Sequence, residues 1–331
     1  MYFNRLSEEI IYKIQRKEMK ERVKECFYAY RRDRKVEEVE DYSRFGKLET
    51  TIRNFVSTFK ESFPQSAYTS MLYLLNNLTI EEEEWEVPRR IAKVSLGQYD
   101  SRTNTITLRR YSDRRINGNL EETLIHELMH MASTRKIREG YVTGFEIPDV
   151  IGYGLSEGYT QYLTEKYFTK GSLYTETNDD RVFFAKGIEN IIGADKMEAF
   201  FFDGNIGEVI RELSKYSSRE DVMKLLFLMD RLNSPLRSAK DIQIITKEIA
   251  RMNHVKLQMQ LQEGTITQEQ YDIEHAIKVE EYRRRYLWSE QAKIIKDQNC
   301  FIIEENEWSS NLYPFTPTKE KPKEIEKKYQ E

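Results

Sequence analysis

The chain has 331 residues, of which 39% are hydrophobic, 33% charged and 12% aromatic, a composition typical of a folded, highly charged protein and unlike that of a disordered chain. Its 52 Lys and Arg residues nearly balance its 56 Asp and Glu residues, which leaves a net charge of -4. This balance argues against a strongly basic nucleic-acid binder and against an acidic solvating tail.

The sequence contains no sign of export or membrane insertion. Residues 1–20 lack an apolar run followed by a small-residue cleavage site, and no segment reaches the length needed to cross a bilayer. The two cysteines, Cys26 and Cys300, match no disulfide framework or metal-ligand spacing. We therefore expect a cytoplasmic protein without a membrane partner, although a protein exported without a leader would look the same.

The first part of the chain has helical periodicity. In residues 7–59, apolar residues recur at three- and four-residue spacing amid dense charge, which predicts two or three helices. Basic residues outnumber acidic ones over residues 13–35, which fits either a nucleic-acid face or a solvated helix surface. A further helix is predicted over residues 66–78, and the acidic run Glu81–Glu84 after it is interpreted as a boundary.

The pattern then changes to that of strands. Apolar and polar residues alternate over residues 92–96 and again over residues 105–109, which predicts two strands. The polar segment 98–104 between them is expected to form a hairpin turn or a short loop. Residues 138–158 contain five glycines, Gly140, Gly144, Gly152, Gly154 and Gly158, which predicts irregular, closely approaching backbone.

Helical patterns resume over residues 182–299. Ser217 with Glu220, and Thr267 with Gln270, have the spacing of capping boxes ahead of amphipathic runs. The last residues, 313–331, combine prolines with repeated charge and are expected to be a disordered tail.

The motif with the most specific chemistry is HELMH, residues 126–130, within a predicted helix. Asn119, three residues before Glu122, is a suitable helix start because its side chain can accept a free backbone N–H. One half of this helix is apolar, and His126, Glu127 and His130 lie on the other half with Thr123. The two histidines therefore share a face.

This spacing suits a zinc ion. Two imidazoles one helical turn apart can each place a nitrogen about 2.0–2.1 Å from a common centre. Glu127, on the adjoining flank, would lie close enough to take a proton from zinc-bound water. With four histidines in the chain, HExxH would arise by chance in roughly one such sequence in 200, so composition disfavours coincidence.

The order of a strand, the helix ETLIHELMH and a second helix bearing a glutamate resembles the zincin metallopeptidases, and within them the gluzincin branch. The resemblance covers mainly residues 92–168. It implies an α+β, predominantly helical fold, in which a zincin-like core with a small β-sheet, an active-site helix and a glutamate helix is flanked by helical segments. It also implies that the strand over residues 106–108 is the sheet edge beside the cleft.

A catalytic zinc commonly has three protein ligands and an open position, so a third ligand must be found. Glu157 is the leading candidate because it opens a helix just after the glycine-rich segment, with Gln161 and Thr164 on its face. By resemblance it corresponds to the gluzincin glutamate, although segment 131–156 is longer than in thermolysin-like members. The alternative is a solvated carboxylate at a helix start. Weaker candidates are His254, His275, Glu139, Glu146, Asp149 and Glu165.

The resemblance also implies a donor that stabilises the oxyanion formed on the substrate. Tyr153 and Tyr159 flank Glu157, and we select Tyr153 for this role, with packing as the alternative for either residue. The predicted site therefore consists of one zinc ion held by His126, His130 and Glu157, with Glu127 as general base.

The predicted domains are an N-terminal helical segment (residues 1–84), a zincin-like catalytic core (85–170), a C-terminal helical subdomain (171–312) and the charged tail (313–331). The predicted function is zinc-dependent hydrolysis of peptide bonds in a peptide or protein substrate. The alternative is a non-catalytic zinc-binding or helical scaffold or sensor that binds a protein partner. A nucleic-acid partner is not expected, and the sequence does not determine the oligomeric state.

Overall fold

The computed structural model describes residue 39 and residues 41–85, 96–111, 120–137, 140–168, 180–232 and 238–297, with side chains in the last range described up to residue 286. Over these ranges the chain is predominantly helical with two small sheets, which confirms the predicted α+β class. A 3₁₀ helix, Ser43–Leu48, precedes α-helices α1 (Glu49–Ser62), α2 (Gln65–Asn76), α3 (Leu120–Ala132), α4 (Tyr153–Phe168), α5 (Asp180–Ile192), α6 (Ala194–Phe202), α7 (Ile206–Leu213), α8 (Arg219–Arg231), α9 (Ala239–Gln262) and α10 (Gln268–Asp297). The strands are β1 (Thr79–Trp85), β2 (Gly97–Asp100), β3 (Thr105–Tyr111), β4 (Thr134–Ile137) and β5 (Gly140–Thr143).

The helices before the sheet follow the apolar spacing of the sequence. In α1, the predicted apolar face of Ile52, Phe55, Val56 and Phe59 is buried. Helix α2 confirms the helix predicted over residues 66–78. Most of the helical region predicted before α1, including residues 13–35, lies outside the described residues.

The acidic run Glu81–Glu84 is not a boundary, as the sequence suggested, but part of β1, which runs parallel to β3 from Thr79 to Trp85. This strand lies at one edge of the sheet, where its side chains are largely exposed and Lys47 and Arg110 both pair with Glu82. Pairing with β3 therefore outweighs the low strand propensity of glutamate. No local pattern in the sequence reveals this pairing.

The predicted hairpin is present, with its first strand later than expected. Strand β2 pairs antiparallel with β3 from Gly97 to Asp100, and residues 101–104 form the turn. Residues 92–95 of the predicted strand lie outside the described residues. The sheet order is β1-β3-β2, so the strand containing residues 106–108 is central and the prediction that it forms the edge is wrong. The edge that reaches α3 is β2.

The glycine-rich segment is closely packed, as predicted, and also contains strand β5, which the sequence did not indicate. A methyl group on Gly144 would lie 2.3 Å from the ring of Phe201, and one on Gly152 would lie 2.1 Å from the carbonyl oxygen of Phe145. The φ angles of Gly144 and Gly152 are 55° and 95°, which other residues rarely adopt. Glycine is therefore required where this loop enters α4.

The helices after α4 confirm the helical pattern predicted from residue 182 onward, up to Asp297. The pair Thr267 and Gln270 forms the predicted reciprocal cap, with N···O distances of 2.9 and 3.2 Å. At the start of α8 the cap is Ser218, whose side chain accepts from the backbone N–H of Asp221, and not the predicted Ser217. The prediction for residues 313–331 lies outside the described residues.

One continuous hydrophobic core contains buried residues from both sides of residues 84 and 170, and the division of the chain at these positions stays a prediction. Helix α3 contacts α1, α2, α4, β2 and β3, and α4 contacts α1, α5 and α8. Helices α3 and α4 are thus fixed on several sides. Over the described ranges, no helix combines the length and the apolar character that crossing a bilayer requires.

Candidate metal centre

Both faces of α3 are buried, for different reasons. Leu124, Leu128 and Met131 on the apolar face are fully buried in the core. On the opposite face, Glu127 and His130 are only 7% and 6% exposed. Buried polar side chains require partners, and for this face most of the partners come from α4.

Helix α4 begins at Tyr153, so Glu157 lies one turn into the helix and does not open it as predicted. Its side chain is 19% exposed and points to the two histidines of α3. A solvated carboxylate at a helix start, which was the alternative interpretation, does not describe this position. Glu157 and the HELMH motif therefore converge, as the sequence predicted.

The three side chains have the separations that one metal ion needs. The Nε2 atoms of His126 and His130 are 3.1 Å apart, and Glu157 oxygens lie 3.1 Å from His130 Nε2 and 3.9 Å from His126 Nε2. Ligand atoms bound tetrahedrally at about 2.1 Å from zinc would be about 3.4 Å from each other. The donor atoms all lie within 4.8 Å of one another and could hold a metal ion.

A second layer of contacts from α4 orients the imidazoles. Gln161 Nε2 donates to Glu165 Oε1 at 2.9 Å, which turns the amide oxygen of Gln161 toward His126 Nδ1, also at 2.9 Å. The Nδ1–H of His126 then donates to this oxygen, and its Nε2 lone pair faces Glu157 and His130. Thr160 Oγ1 lies 3.4 Å from Nδ1 of His130. Glu157, Thr160 and Gln161 thus occupy one face of α4.

We expect Gln161→Leu to weaken binding of the predicted zinc ion by about 10- to 100-fold, because it removes the acceptor that fixes the tautomer and orientation of His126. A competition titration of zinc against a chelator measures this change. Gln243→Leu, at a half-buried glutamine of α9, is the control and should bind zinc as the wild type does. Equal affinity in the two variants would contradict an orienting role for Gln161.

The pKa of each of the three side chains depends on the charge of at least one of the other two. Burial favours the neutral form of Glu157, but the charge of His130 lowers its pKa to about 2. Burial also disfavours the charged form of His130, whose pKa Glu157 nevertheless raises to about 9. Burial and the charge of His130 lower the pKa of His126 to about 4. Without a metal, the buried carboxylate of Glu157 thus faces a neutral His126 and a protonated His130. The positive charge next to Glu157 is then a proton on His130, and a metal cation could take its place.

Glu127 lies beside the edge strand β2. The backbone N–H of Tyr99 donates to its carboxylate, and burial raises the pKa of Glu127 to about 7. A methyl group on Gly97 would lie 2.8 Å from Glu127 Oε1 and 2.7 Å from the side chain of Thr123. Glycine at position 97 therefore leaves room for Glu127. A carboxylate with a pKa near neutrality suits proton transfer in both directions.

Of the two candidate tyrosines, only Tyr153 is accessible. Its side chain is 42% exposed at the first position of α4, and burial together with the Glu157 carboxylate raises its pKa. Tyr159 is fully buried and donates to Glu189 Oε2 at 2.5 Å. Tyr159 is therefore a packing residue.

Sequence reasoning missed a charged residue beside Glu157. Arg181, in the first turn of α5, places Nη1 3.6 Å from Glu157 Oε2. No motif marks it, because its position depends on the packing of α5 against α4 at Gly158, where a methyl group would lie 2.3 Å from the carbonyl oxygen of Arg181. The closest indication of this contact in the sequence is Gly158, whose lack of a side chain allows α5 to approach α4.

The weaker candidate ligands lie elsewhere or in other roles. Burial raises the pKa of Glu146 to about 7, and the charges of His130 and Glu157 lower and raise this pKa, respectively. Glu146 is not among the converging donors. Glu165 supports Gln161, Asp149 is exposed, and Glu139 lies outside the described residues, as do both cysteines. His254 of α9 and His275 of α10 face each other, with ring centroids 5.0 Å apart.

Comparison with models of known protein families, with curated proteins and with solved structures finds no match to this chain. The geometry of the site must therefore support any functional conclusion by itself.

Proposed function

We propose that this protein is a zinc-dependent metallopeptidase of the zincin type. The observation that carries the proposal is the convergence of His126, His130 and Glu157, with Glu127 adjacent to the first ligand in sequence. Two imidazoles and one carboxylate are a donor set of catalytic zinc sites. Calcium and magnesium favour sites made of oxygen ligands, so this donor set favours zinc over either.

Zinc bound by these residues would supply a Lewis acid that polarises a peptide carbonyl and makes water more acidic. Glu127 accepts the proton from the attacking water and passes it to the nitrogen of the leaving amine. The N–H of Tyr99 holds the Glu127 carboxylate beside β2 during both transfers. The hydroxyl of Tyr153 is the group proposed to donate to the oxygen that gains negative charge.

The backbone of β2 supports an extended peptide as substrate. Arg109 N–H donates to Leu96 O, so Leu96, Gln98 and Asp100 direct their backbone groups to β3. Gly97 and Tyr99 alternate with these residues along β2, so their backbone N–H and C=O groups point away from β3. On that side, the N–H of Tyr99 donates to Glu127. A peptide lying along this edge would pass beside the general base, while the N–H of Tyr99 stays bonded to Glu127.

The proposal is tested by incubating the zinc-loaded protein with a broad peptide library and identifying products by mass spectrometry. We expect cleavage that is lost after zinc is removed with a chelator and restored when zinc is returned. A protein that binds one zinc ion and cleaves no peptide would overturn the peptidase proposal in favour of a zinc-binding scaffold or sensor.

A further inference from the structure

The start of the glutamate helix α4 is held by a carboxylate from a distant part of the chain. Asp230, near the end of α8, accepts hydrogen bonds from two backbone amides, with Oδ2 3.0 Å from Gly152 N and Oδ1 2.7 Å from Gly154 N. The residue between these amides is Tyr153, the first residue of α4. Asp230 therefore binds the backbone on both sides of the candidate oxyanion donor.

These two bonds fix the helix end because its amides have no partners within the helix. The first N–H groups of a helix are unsatisfied unless a side chain accepts from them, and a carboxylate there also interacts favourably with the helix dipole. A carboxylate that accepts two of these bonds defines the position of the first turn and its rotation about the helix axis. Asp230 provides both bonds from another helix.

The backbones of α4 and α8 also touch at this junction. A methyl group on Gly154 would lie 2.2 Å from the carbonyl oxygen of Met229, the residue before Asp230. Helix α4 can approach this closely only because residue 154 has no side chain. The hydrogen bonds of Asp230 and this contact act on the same turn of α4.

The consequence at the metal centre follows from the geometry of a helix. Glu157 lies four residues after Tyr153, so the two share a face of α4. A side-chain atom about 6 Å from the helix axis moves by about 1 Å when the helix rotates by about 10°. The Glu157 oxygens lie 3.1 and 3.9 Å from the imidazole nitrogens, so a shift of this size would separate the donors.

We propose that Asp230 is a positioning residue for the metal centre: by binding the amides of Gly152 and Gly154, it sets α4 so that Glu157 reaches the metal and Tyr153 faces the substrate. The inference rests on the proposed function in requiring that the site bind a metal. It does not require that the bound substrate be known.

The test measures metal binding by the full chain. Zinc affinity is determined by chelator competition, and the visible spectrum of the Co²⁺-loaded protein reports the ligands around the ion. We expect Asp230→Asn to weaken zinc binding by about tenfold or more and to change the Co²⁺ spectrum, because Glu157 is displaced. Asp230→Glu retains the carboxylate, so its zinc affinity should lie between those of the wild type and Asp230→Asn.

Glu189 of α5 provides a matched control, because its carboxylate binds the same helix, α4, that Asp230 binds. Its buried carboxylate accepts from Tyr159 and Tyr162 of α4, at 2.5 and 3.1 Å, on the far side of Glu157 from the first turn. Glu189→Gln should reduce thermal stability and leave zinc affinity and the Co²⁺ spectrum of the folded protein unchanged. An equal loss of zinc affinity in Glu189→Gln and Asp230→Asn would overturn a specific role for Asp230.

The outcomes separate the inference from the function on which it rests. If the wild type binds zinc and both Asp230 variants bind it equally well, the inference is overturned and the metallopeptidase proposal is unaffected. If the wild type binds no zinc, the proposed function fails and the inference fails with it. If Asp230→Asn does not fold, Asp230→Glu decides the matter by the same two measurements.

Discussion

Glu127→Gln is expected to retain one bound zinc per chain and to reduce peptide hydrolysis by about 10³-fold, within the range for loss of a general acid–base group. An amide has nearly the size of a carboxylate and can still contact the N–H of Tyr99, but it cannot accept a proton from water. The effect corresponds to about 4 kcal/mol in the activation free energy. Metal analysis and the rate of cleavage of a library-derived peptide measure the two quantities.

The control for this prediction is Glu121→Gln, an exposed glutamate in the first turn of the same helix. It removes one negative charge from α3 without touching the site, so zinc content and hydrolysis should both stay at the wild-type level. If Glu127→Gln and Glu121→Gln hydrolysed the peptide equally fast, Glu127 would not be the general base. Loss of zinc from Glu127→Gln would instead assign it a role in holding the metal.

The part of the site that lies within one helix could be predicted from the sequence. His126, Glu127 and His130 are placed by helical geometry alone, and the apolar half of α3 is buried as its pattern indicated. Glu157 could be selected because its helix follows a glycine-rich segment, although this helix begins at Tyr153, four residues earlier. These features could be predicted because they depend on local sequence periodicity.

The parts that depend on contacts between distant segments could not be predicted. The glutamates of β1 form a strand only because β3 pairs with them, and β2, not β3, became the edge because of the order of strands in the sheet. Asp230 reaches Gly154 across the junction between α8 and α4. Arg181 reaches Glu157 from the next helix. Single carboxylates and guanidinium groups in helices have no sequence pattern that indicates such partners.

The candidate site thus combines a pair of proposed ligands set by one helix with a third proposed ligand set by tertiary packing. The imidazoles of His126 and His130 keep their spacing wherever α3 lies, whereas Glu157 reaches them only if α4 is placed against α3 correctly. Contacts that fix α4 would therefore affect a bound metal mainly through Glu157. Among the proposed ligands, Glu157 is the one for which substitution tests the tertiary arrangement as well as the chemistry.

Glu157→Ala is expected to weaken zinc binding by more than about 100-fold, beyond the loss typical of residues that only orient a ligand, and to abolish hydrolysis as a consequence. Two imidazoles would remain, without the negative charge that compensates a divalent cation. The affinity is measured by chelator competition and the occupancy by metal analysis of the purified protein. The result differs in kind from that for Glu127→Gln, in which zinc is retained and only hydrolysis is lost.

Glu146→Ala is the matched control for Glu157→Ala. Glu146 is a half-buried carboxylate whose pKa is affected by the charges of both His130 and Glu157, but it is not one of the converging donors. It should retain zinc within a few-fold of the wild-type affinity, since it supplies no donor atom. Equal zinc content in Glu157→Ala and the wild type would remove Glu157 from the ligand set. A loss in Glu146→Ala alone would move the third ligand to the loop before α4, and the role proposed for that helix would then have to be abandoned.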